Sequence, residues 1–419
     1  MAQLTGMEQE QEDIKQHRSD DRVVKIVLFG AGKRGVKLLH YLLSMDNTEI
    51  VAICDRSDDS ALRAAAVCTE AGKKKPSVYS GDRQSVAEIL DREKPDAVII
   101  ATYWDSHAGI ALEAMRRNIY PGIDVPAALR TDDLWQLVET SENTGTPCMM
   151  LENWSFRKDN LAVLNMKRLG MFGKIVHCHC AHSHNCIDHW FFDSESGEAR
   201  WQAEYLLKYN RMQYPTHALG PVISWMDINR GDAFSEIYTI ASAPLGINEY
   251  FRDRFGEHHP EAGRKYRQGD IVTSVLSTKK GKTLVINNDL QLRRPYANRW
   301  MLQGTRGVYD EEKGSVYLAD FSPEYQKWEP WQPYEEKYNH RWWQTDFPSP
   351  SFRGADYIML RQFTEAVRRK GPVPLDVYDS AVMSATIELS GISAEKKKSV
   401  PFPDFTRGKW QTNQEYFAV

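Results

Sequence analysis

The chain has 419 residues, enough for two domains with a sizeable core, and a formal net charge of −4. No basic cluster is interleaved with aromatics, so the composition gives no footing to a nucleic-acid partner. No apolar run approaches transmembrane length, and the six cysteines (54, 68, 148, 178, 180 and 186) lack the spacing of a disulfide scaffold, so no membrane partner is expected either.

Residues 1–22 are polar and charged and read as a disordered tail rather than a secretion signal. The chain as given is expected in the cytoplasm, or in the periplasm if a leader was removed. An apolar strand over 24–29 then runs into Gly30-Ala31-Gly32-Lys33-Arg34-Gly35, and Val36, Leu39, Leu42 and Leu43 set a helical period behind it. A second apolar run, 50–54, ends at Asp55. Residues 56–80 hold at most one helix. A short helix is predicted over 84–92, a buried β-branched strand over 96–101 and a helix over 106–118. A short strand ends at Ile123, Thr131 caps a further helix, and 147–151 is a strand. Such alternation predicts an α/β Rossmann domain over 23–152, a doubly wound parallel sheet covered on both faces.

The character changes after Glu152-Asn153-Trp154. A helix over 159–169 stops at Gly170. Strands follow at 174–182, 271–277 and 283–290, the last two joined as a hairpin through Lys279-Lys280-Gly281-Lys282. Aromatics crowd 296–343 in loop-like sequence, a composition that with Arg makes sugar-stacking surfaces. Helices are predicted over 355–369 and 377–389, and 401–408 reads as extended. Residues 153–419 therefore form an α+β domain with a large open, mostly antiparallel sheet, a face that commonly pairs with a second copy.

The glycine stretch has the context a dinucleotide site needs: a strand before it, a helix after it, and an acid twenty residues on. Gly30 permits the turn, Gly32 lets backbone approach a pyrophosphate, and Gly35 lets the helix pack close to the strand. Asp55 can accept hydrogen bonds from a ribose hydroxyl, which favours NAD over NADP. Arg56 can cover an adenine or meet a phosphate.

These features resemble the Gfo/Idh/MocA oxidoreductase-like superfamily, whose usual Glu-Lys-Pro is here Asp124-Val125-Pro126, without the lysine. The segment Val125-Pro126-Ala127-Ala128 is similar to glycoside hydrolase family 109, the NAD-dependent α-N-acetylgalactosaminidases. Trp104 and His107 match that family's Trp-x-x-His, and Glu152-Asn153 its Glu-Asn segment. Tyr214-Pro215-Thr216-His217, Asn229-Arg230-Gly231-Asp232, Arg294-Pro295-Tyr296 and Phe402-Pro403-Asp404-Phe405 extend the match. The chain departs from the family at His182-Ser183-His184-Asn185, where the family has Tyr-x-His-Asp, and at Trp201-Gln202, where it has Trp-Arg.

The resemblance implies a glycosidase with no net redox change and a tightly bound, recycled NAD. The sugar is oxidised at C3, the ketone acidifies the C2 proton, and the aglycone leaves by elimination. Water adds and C3 is reduced again. Lys33, Arg34, Trp104, His107, Asp124 and Asn153 are then expected around the cofactor. His217 opens an apolar helix, where the N-terminal dipole favours its neutral, base-competent form, and is the first candidate at the C3 hydroxyl. Tyr214 and Tyr296 transfer a proton at C2, bind sugar hydroxyls, or are packed tyrosines. Glu152 orients nicotinamide or substrate, or bonds backbone. His182 and His184 project into the sugar pocket, with His182 in place of the family tyrosine, and Trp201 and Gln202 belong to the same pocket.

No metal is expected. On one straight strand, Cys178, Cys180, His182 and His184 face one way, but they spread over roughly 20 Å at about 3.3 Å per residue, too far for one tetrahedral centre unless the strand bends. Two other functions compete: an ordinary NAD-dependent sugar dehydrogenase, against which the missing lysine stands, and a non-catalytic NAD-bound sugar sensor.

Overall fold

The computed structural model describes residues 22–81, 83–348 and 354–419, so the expected tail lies outside the described residues except for Arg22. The first sheet has six parallel strands: β1 (Val24–Phe29), β2 (Thr48–Asp55), β3 (Ser77–Ser80), β4 (Ala97–Ile100), β5 (Tyr120–Ile123) and β6 (Met149–Met150). Their order, β3-β2-β1-β4-β5-β6, reverses between β1 and β4, and that reversal opens a crevice at the strands' carboxyl ends. Strand β1 is buried on both faces, with Val24, Ile26, Val27 and Leu28 fully inside. Helices α1 (Lys33–Leu43), α2 (Asp58–Glu70), α3 (Val86–Glu93), α4 (Trp104–Met115) and α5 (Thr131–Thr144) cover it. Helix α1 buries Leu38, Leu39, Leu42 and Leu43 along one stripe.

Two local expectations fail here. Residues 56–80 hold α2 and also β3, a four-residue edge strand whose polar ends hide its pattern. Thr131 is the first residue of α5 rather than its cap; Arg130 occupies the cap position without a side-chain bond.

The second sheet has nine strands. Those contributed before its central hairpin are β7 (Ile175–Ser183) and β8 (Phe234–Ala241); β9 (Ile271–Thr278) and β10 (Thr283–Asp289) form the expected hairpin. Then come β11 (Met301–Gly304), β12 (Gly307–Asp310), β13 (Ser315–Leu318), β14 (Glu329–Pro330) and β15 (Val400–Pro401). The order is β14-β13-β12-β11-β7-β10-β9-β8-β15, and only β7 and β10 pair in parallel. The 296–343 stretch is therefore not loop throughout: it supplies β11 to β14, and its Trp300, Tyr309 and Trp331 are core. Likewise 401–408 is extended only at its start, where β15 pairs with β8, before the chain turns.

Helices α6 (Lys158–Arg168), α7 (Ala203–Lys208), α8 (Thr216–Trp225), α9 (Gly246–Phe255), α10 (Gln332–Lys337), α11 (Ala355–Arg369) and α12 (Val377–Lys396) complete the chain. Helix α12 runs seven residues past the expected 389 and is buried along most of its length. Its serines reach both halves. Ser380 and Ser384 accept from the backbone N–H of Met150 (3.0 Å) and Ala127 (3.1 Å), while Ser390 and Ser393 accept from Met212 (3.0 Å) and Thr239 (2.9 Å). One face of the large sheet packs inward. The other presents Tyr238, Ile240, Ile271 and Val275 to solvent. Among the described residues no helix is long and apolar enough to cross a membrane.

Candidate active site

The Gly-rich turn sits at the crevice and is shaped by steric necessity. Gly30 has φ +94°, and a Cβ there would lie 2.3 Å from the Ala101 carbonyl oxygen. A Cβ on Gly35 would lie 1.9 Å from the Gly30 carbonyl oxygen, so helix and strand touch through glycine. Gly32 differs: a Cβ there would meet nothing within 4 Å, and as the cap of α1 it leaves the first N–H groups without a side-chain partner. Open space in front of unpaired donors is what a diphosphate fills. The buried Asn153 Oδ1, three residues past β6, also lacks a partner. Both observations fit a bound dinucleotide.

Asp55 ends β2 and braces this turn, its carboxylate accepting from Ala31 N–H (2.6 Å) and Ser57 N–H (2.8 Å). A carboxylate accepts about four hydrogen bonds, so it keeps capacity for a ribose hydroxyl. Arg56 lies over the Tyr103 ring at 5.7 Å. Lys33 is exposed at the start of α1.

Three residues expected around the cofactor also have partners within the protein. Arg34 pairs with Asp124 (3.0 Å) and with Asp356 of α11 (2.9 Å), so both Arg34 and Asp124 are spent on tying α1 to its neighbours. His107 is 1% exposed, and its ring nitrogens face the carbonyls of Pro126 (2.8 Å) and Thr102 (3.1 Å). It anchors the loop below the crevice and has no nitrogen left for a ligand.

The four catalytic candidates converge. His182 ends up beside His217 and Tyr214, with ring centroids 5.2 Å away in each case, and Tyr214 and His217 are 4.8 Å apart. Tyr296 closes the cluster, 5.8 Å from His182 and 4.9 Å from His184. His217 is the second residue of α8, where the apolar face of Leu219, Val222 and Ile223 fixes the helix against the core. Its Nδ1 lies 2.9 Å from both carboxylate oxygens of Glu152, which is fully buried and also accepts from Trp154 N–H. Gly220 makes this approach possible, since a Cβ there would lie 2.9 Å from Glu152 Cγ. Glu152 thus orients His217, a role the sequence reading did not assign, and Nδ1–H donation leaves Nε2 bare.

His182 reaches the same state by a different partner. Its Nδ1 faces the Tyr214 carbonyl (3.0 Å), and burial followed by the proximity of His217 drives its pKa well below the ordinary imidazole value, against the pull of that carbonyl. The ring is neutral with Nε2 free. For His184, burial and then His189 bring the pKa down to about 4. Burial pushes the Tyr214 phenol well up, Asp124 and Glu152 add to it, and Arg34 opposes. Tyr214 therefore keeps its phenolic proton.

Trp201 and Gln202 form part of a neighbouring wall. Trp104 packs on Trp201 (5.3 Å), Trp190 (5.5 Å) and Tyr214 (5.9 Å, stacked). With its amide turned so that the oxygen faces the indole, Gln202 accepts from the Trp190 indole N–H and donates to the Trp190 carbonyl, at 3.2 Å each. Gln202 therefore holds Trp190 in place rather than extending a cation's length into the pocket. Trp190 and Trp154, the latter 5.5 Å from His217, were not singled out from the sequence; each adjoins a residue that was. Cys178 and Cys180 are fully buried in the sheet core and do not join His182 and His184.

The fold and this crevice define a nucleotide-binding, two-domain enzyme of the Gfo/Idh/MocA type. The profile described as "Oxidoreductase family, NAD-binding Rossmann fold" matches residues 24–152, and "Glycosyl hydrolase 109, C-terminal domain" matches residues 156–412. The chain belongs to glycosyl hydrolase family 109, and is an NAD-dependent glycosidase acting on carbohydrate. It is 35% identical to a "Glycosyl hydrolase family 109 protein" of Stenotrophomonas maltophilia, covering 95% of this chain and 92% of that one. An "Alpha-N-acetylgalactosaminidase" of Tannerella forsythia is 34% identical over 95% of this chain and 90% of its own. Among solved structures, a levoglucosan dehydrogenase in complex with NADH and levoglucosan superposes with a TM-score of 0.70 at 16% identity, covering 91% and 100% of the two chains.

Proposed function

We propose that the chain hydrolyses a glycoside through transient oxidation at C3, elimination across C1–C2, water addition and re-reduction. The Glu152–His217 pair beside the glycine cradle supports this best. When bound, NAD⁺ supplies reversible hydride acceptance at a sugar carbon; Gly30, Gly32, Gly35, Asp55 and Asn153 hold it. His217 Nε2 takes the C3 hydroxyl proton and returns it, and Glu152 keeps the tautomer that allows this. His182 Nε2 is the free base nearest His217 and removes the C2 proton. Tyr214 donates to a sugar oxygen. Tyr296 and Trp154 wall the ring.

The Tannerella relative's name points to N-acetylgalactosaminides. Here His182 stands in place of the tyrosine the family carries, and Gln202 is tied to Trp190, so we propose a hexopyranoside with a free C3 hydroxyl and a different preference. The test is a panel of aryl glycosides of both anomers, α-N-acetylgalactosaminide included, run in heavy water. Phenol release without net NADH, with deuterium at C2 of the freed sugar, supports the reading. NADH accumulating from free sugar would make it a dehydrogenase, and binding without turnover a sensor.

We also propose that the cofactor stays bound through turnover, so that denatured protein releases nicotinamide without prior addition. The exposed row of Tyr238, Ile240, Ile271 and Val275 further supports pairing of two copies through the large sheet; light scattering of V275E against the parent chain tests it.

A further inference from the structure

Strand β7 ends at Ser183, and the chain then bends through a single π-type turn, Ile187–Phe191. Such turns concentrate at functional sites. This bend does what a straight strand cannot. It brings His189 back over His184, with ring centroids 4.8 Å apart, and sets Cys186 between them. The ligand-type atoms of His184, Cys186 and His189 all lie within 4.8 Å of one another.

Four further observations single out this trio. Cys186 is 3% exposed, and its Sγ has no hydrogen-bond partner among the described residues. The ring nitrogens of His184 have none either. Both residues are anchored by backbone bonds to the end of β10, His184 N–H to Asp289 O (2.8 Å) and Cys186 N–H to Leu290 O (3.0 Å). The third ligand, His189, is exposed, and its Nδ1 is 3.6 Å from an Asp188 carboxylate oxygen, the kind of outer partner that orients a ligating imidazole.

We propose that His184, Cys186 and His189 bind one divalent cation of the zinc class, leaving a fourth position for water or a substrate oxygen. Imidazole and thiolate are both zinc donors, three protein ligands leave the fourth position open as in catalytic sites, and hard cations such as magnesium are poorly served by this set. Ligands on a tetrahedral zinc stand about 3.3–3.6 Å apart. The observed trio needs only a small closure, which the exposed His189 ring is free to make. His184 also packs on Tyr296, so the ion borders the sugar pocket.

Co²⁺ is the probe. Chelator-treated protein is titrated by equilibrium dialysis and followed by absorption. The expected result is one equivalent bound, with a near-ultraviolet thiolate-to-cobalt band. Cys186→Ser should remove the band, and His189→Ala, at an exposed position that leaves the near-ultraviolet dichroism intact, should weaken binding by about 10–100-fold. No band in the parent chain overturns the proposal; so does an affinity that His189→Ala leaves unchanged. Cobalt uptake is read without turnover, so its failure and the failure of the glycosidase reading are separate results.

Discussion

Gly30, Gly32 and Gly35 build the nucleotide cradle from backbone between positions 30 and 35, whereas the proposed sugar pocket draws Glu152, His182, Tyr214, His217 and Tyr296 from four separate segments. The cradle works by what is missing from it. Its three glycines carry no side chains, the first N–H groups of α1 have no side-chain cap, and its one carboxylate braces the turn. The pocket works by pairing. Each of its two central imidazoles has one nitrogen committed, to a carboxylate in His217 and to a carbonyl in His182. The glycine backbone is damaged chiefly by adding bulk, the imidazole cluster chiefly by taking partners away.

The sharpest test of that contrast is His217→Ala, which should lower turnover by about 10²–10⁴-fold while nicotinamide released on denaturation stays stoichiometric. Loss of both together would mean that the two sites are not separable. Next in size is Gly32→Ala. Its φ of −71° suits any residue and its Cβ meets no protein atom, so unfolding should shift by no more than about 0.5 kcal/mol. NAD affinity, measured by titration of stripped protein, should still fall by about 10–100-fold, the effect of bulk against a ligand. Asp55→Asn should narrow the preference for NAD over NADP by about tenfold, read as a ratio of dissociation constants, because the charge repelling a 2′-phosphate is gone.

The smallest effect lies outside both sites. Burial acts to raise the Glu142 carboxyl, but hydrogen bonds from Lys409, Tyr378 and Arg407 outweigh it and hold the pKa down to about 2. A folded value below the unfolded one stabilises at pH above about 4.5, and that contribution is lost as pH falls toward about 2. Glu142→Gln should therefore lower stability by on the order of 1 kcal/mol at neutral pH, with the gap to the parent chain closing in urea melts run below pH 4.

Local pattern made the first domain legible. Strand β1, the glycine turn, α1 and Asp55 are neighbours in sequence as well as in space, and period and spacing suffice to read them. Strand β3 escaped because four residues with serine at both ends carry no period. Strands β11 to β13 escaped because each is four residues long and separated by tight turns. In the pocket, His217 and Tyr214 were legible from their shared block, but the bond from Glu152 to His217 spans 65 residues and depends on Gly220 letting α8 approach. The protein partners of Arg34 and His107 were hidden for the same reason. A side chain's partners 90 or 19 positions away decide whether it is free for a ligand, and no spacing rule reports them.

Helix α12 carries a last consequence. Its serine hydroxyls receive N–H groups from β6 and from the loop after β5 on one side, and from β8 and the segment before α8 on the other. Severing the gene after codon 152 would strip those acceptors from Met150 and Ala127 and lay bare the floor of the parallel sheet. The amino-terminal half is accordingly not an exchangeable cassette: any recombination that replaces it must bring along a matching carboxy-terminal helix, and the two ends of this chain are bound to change together.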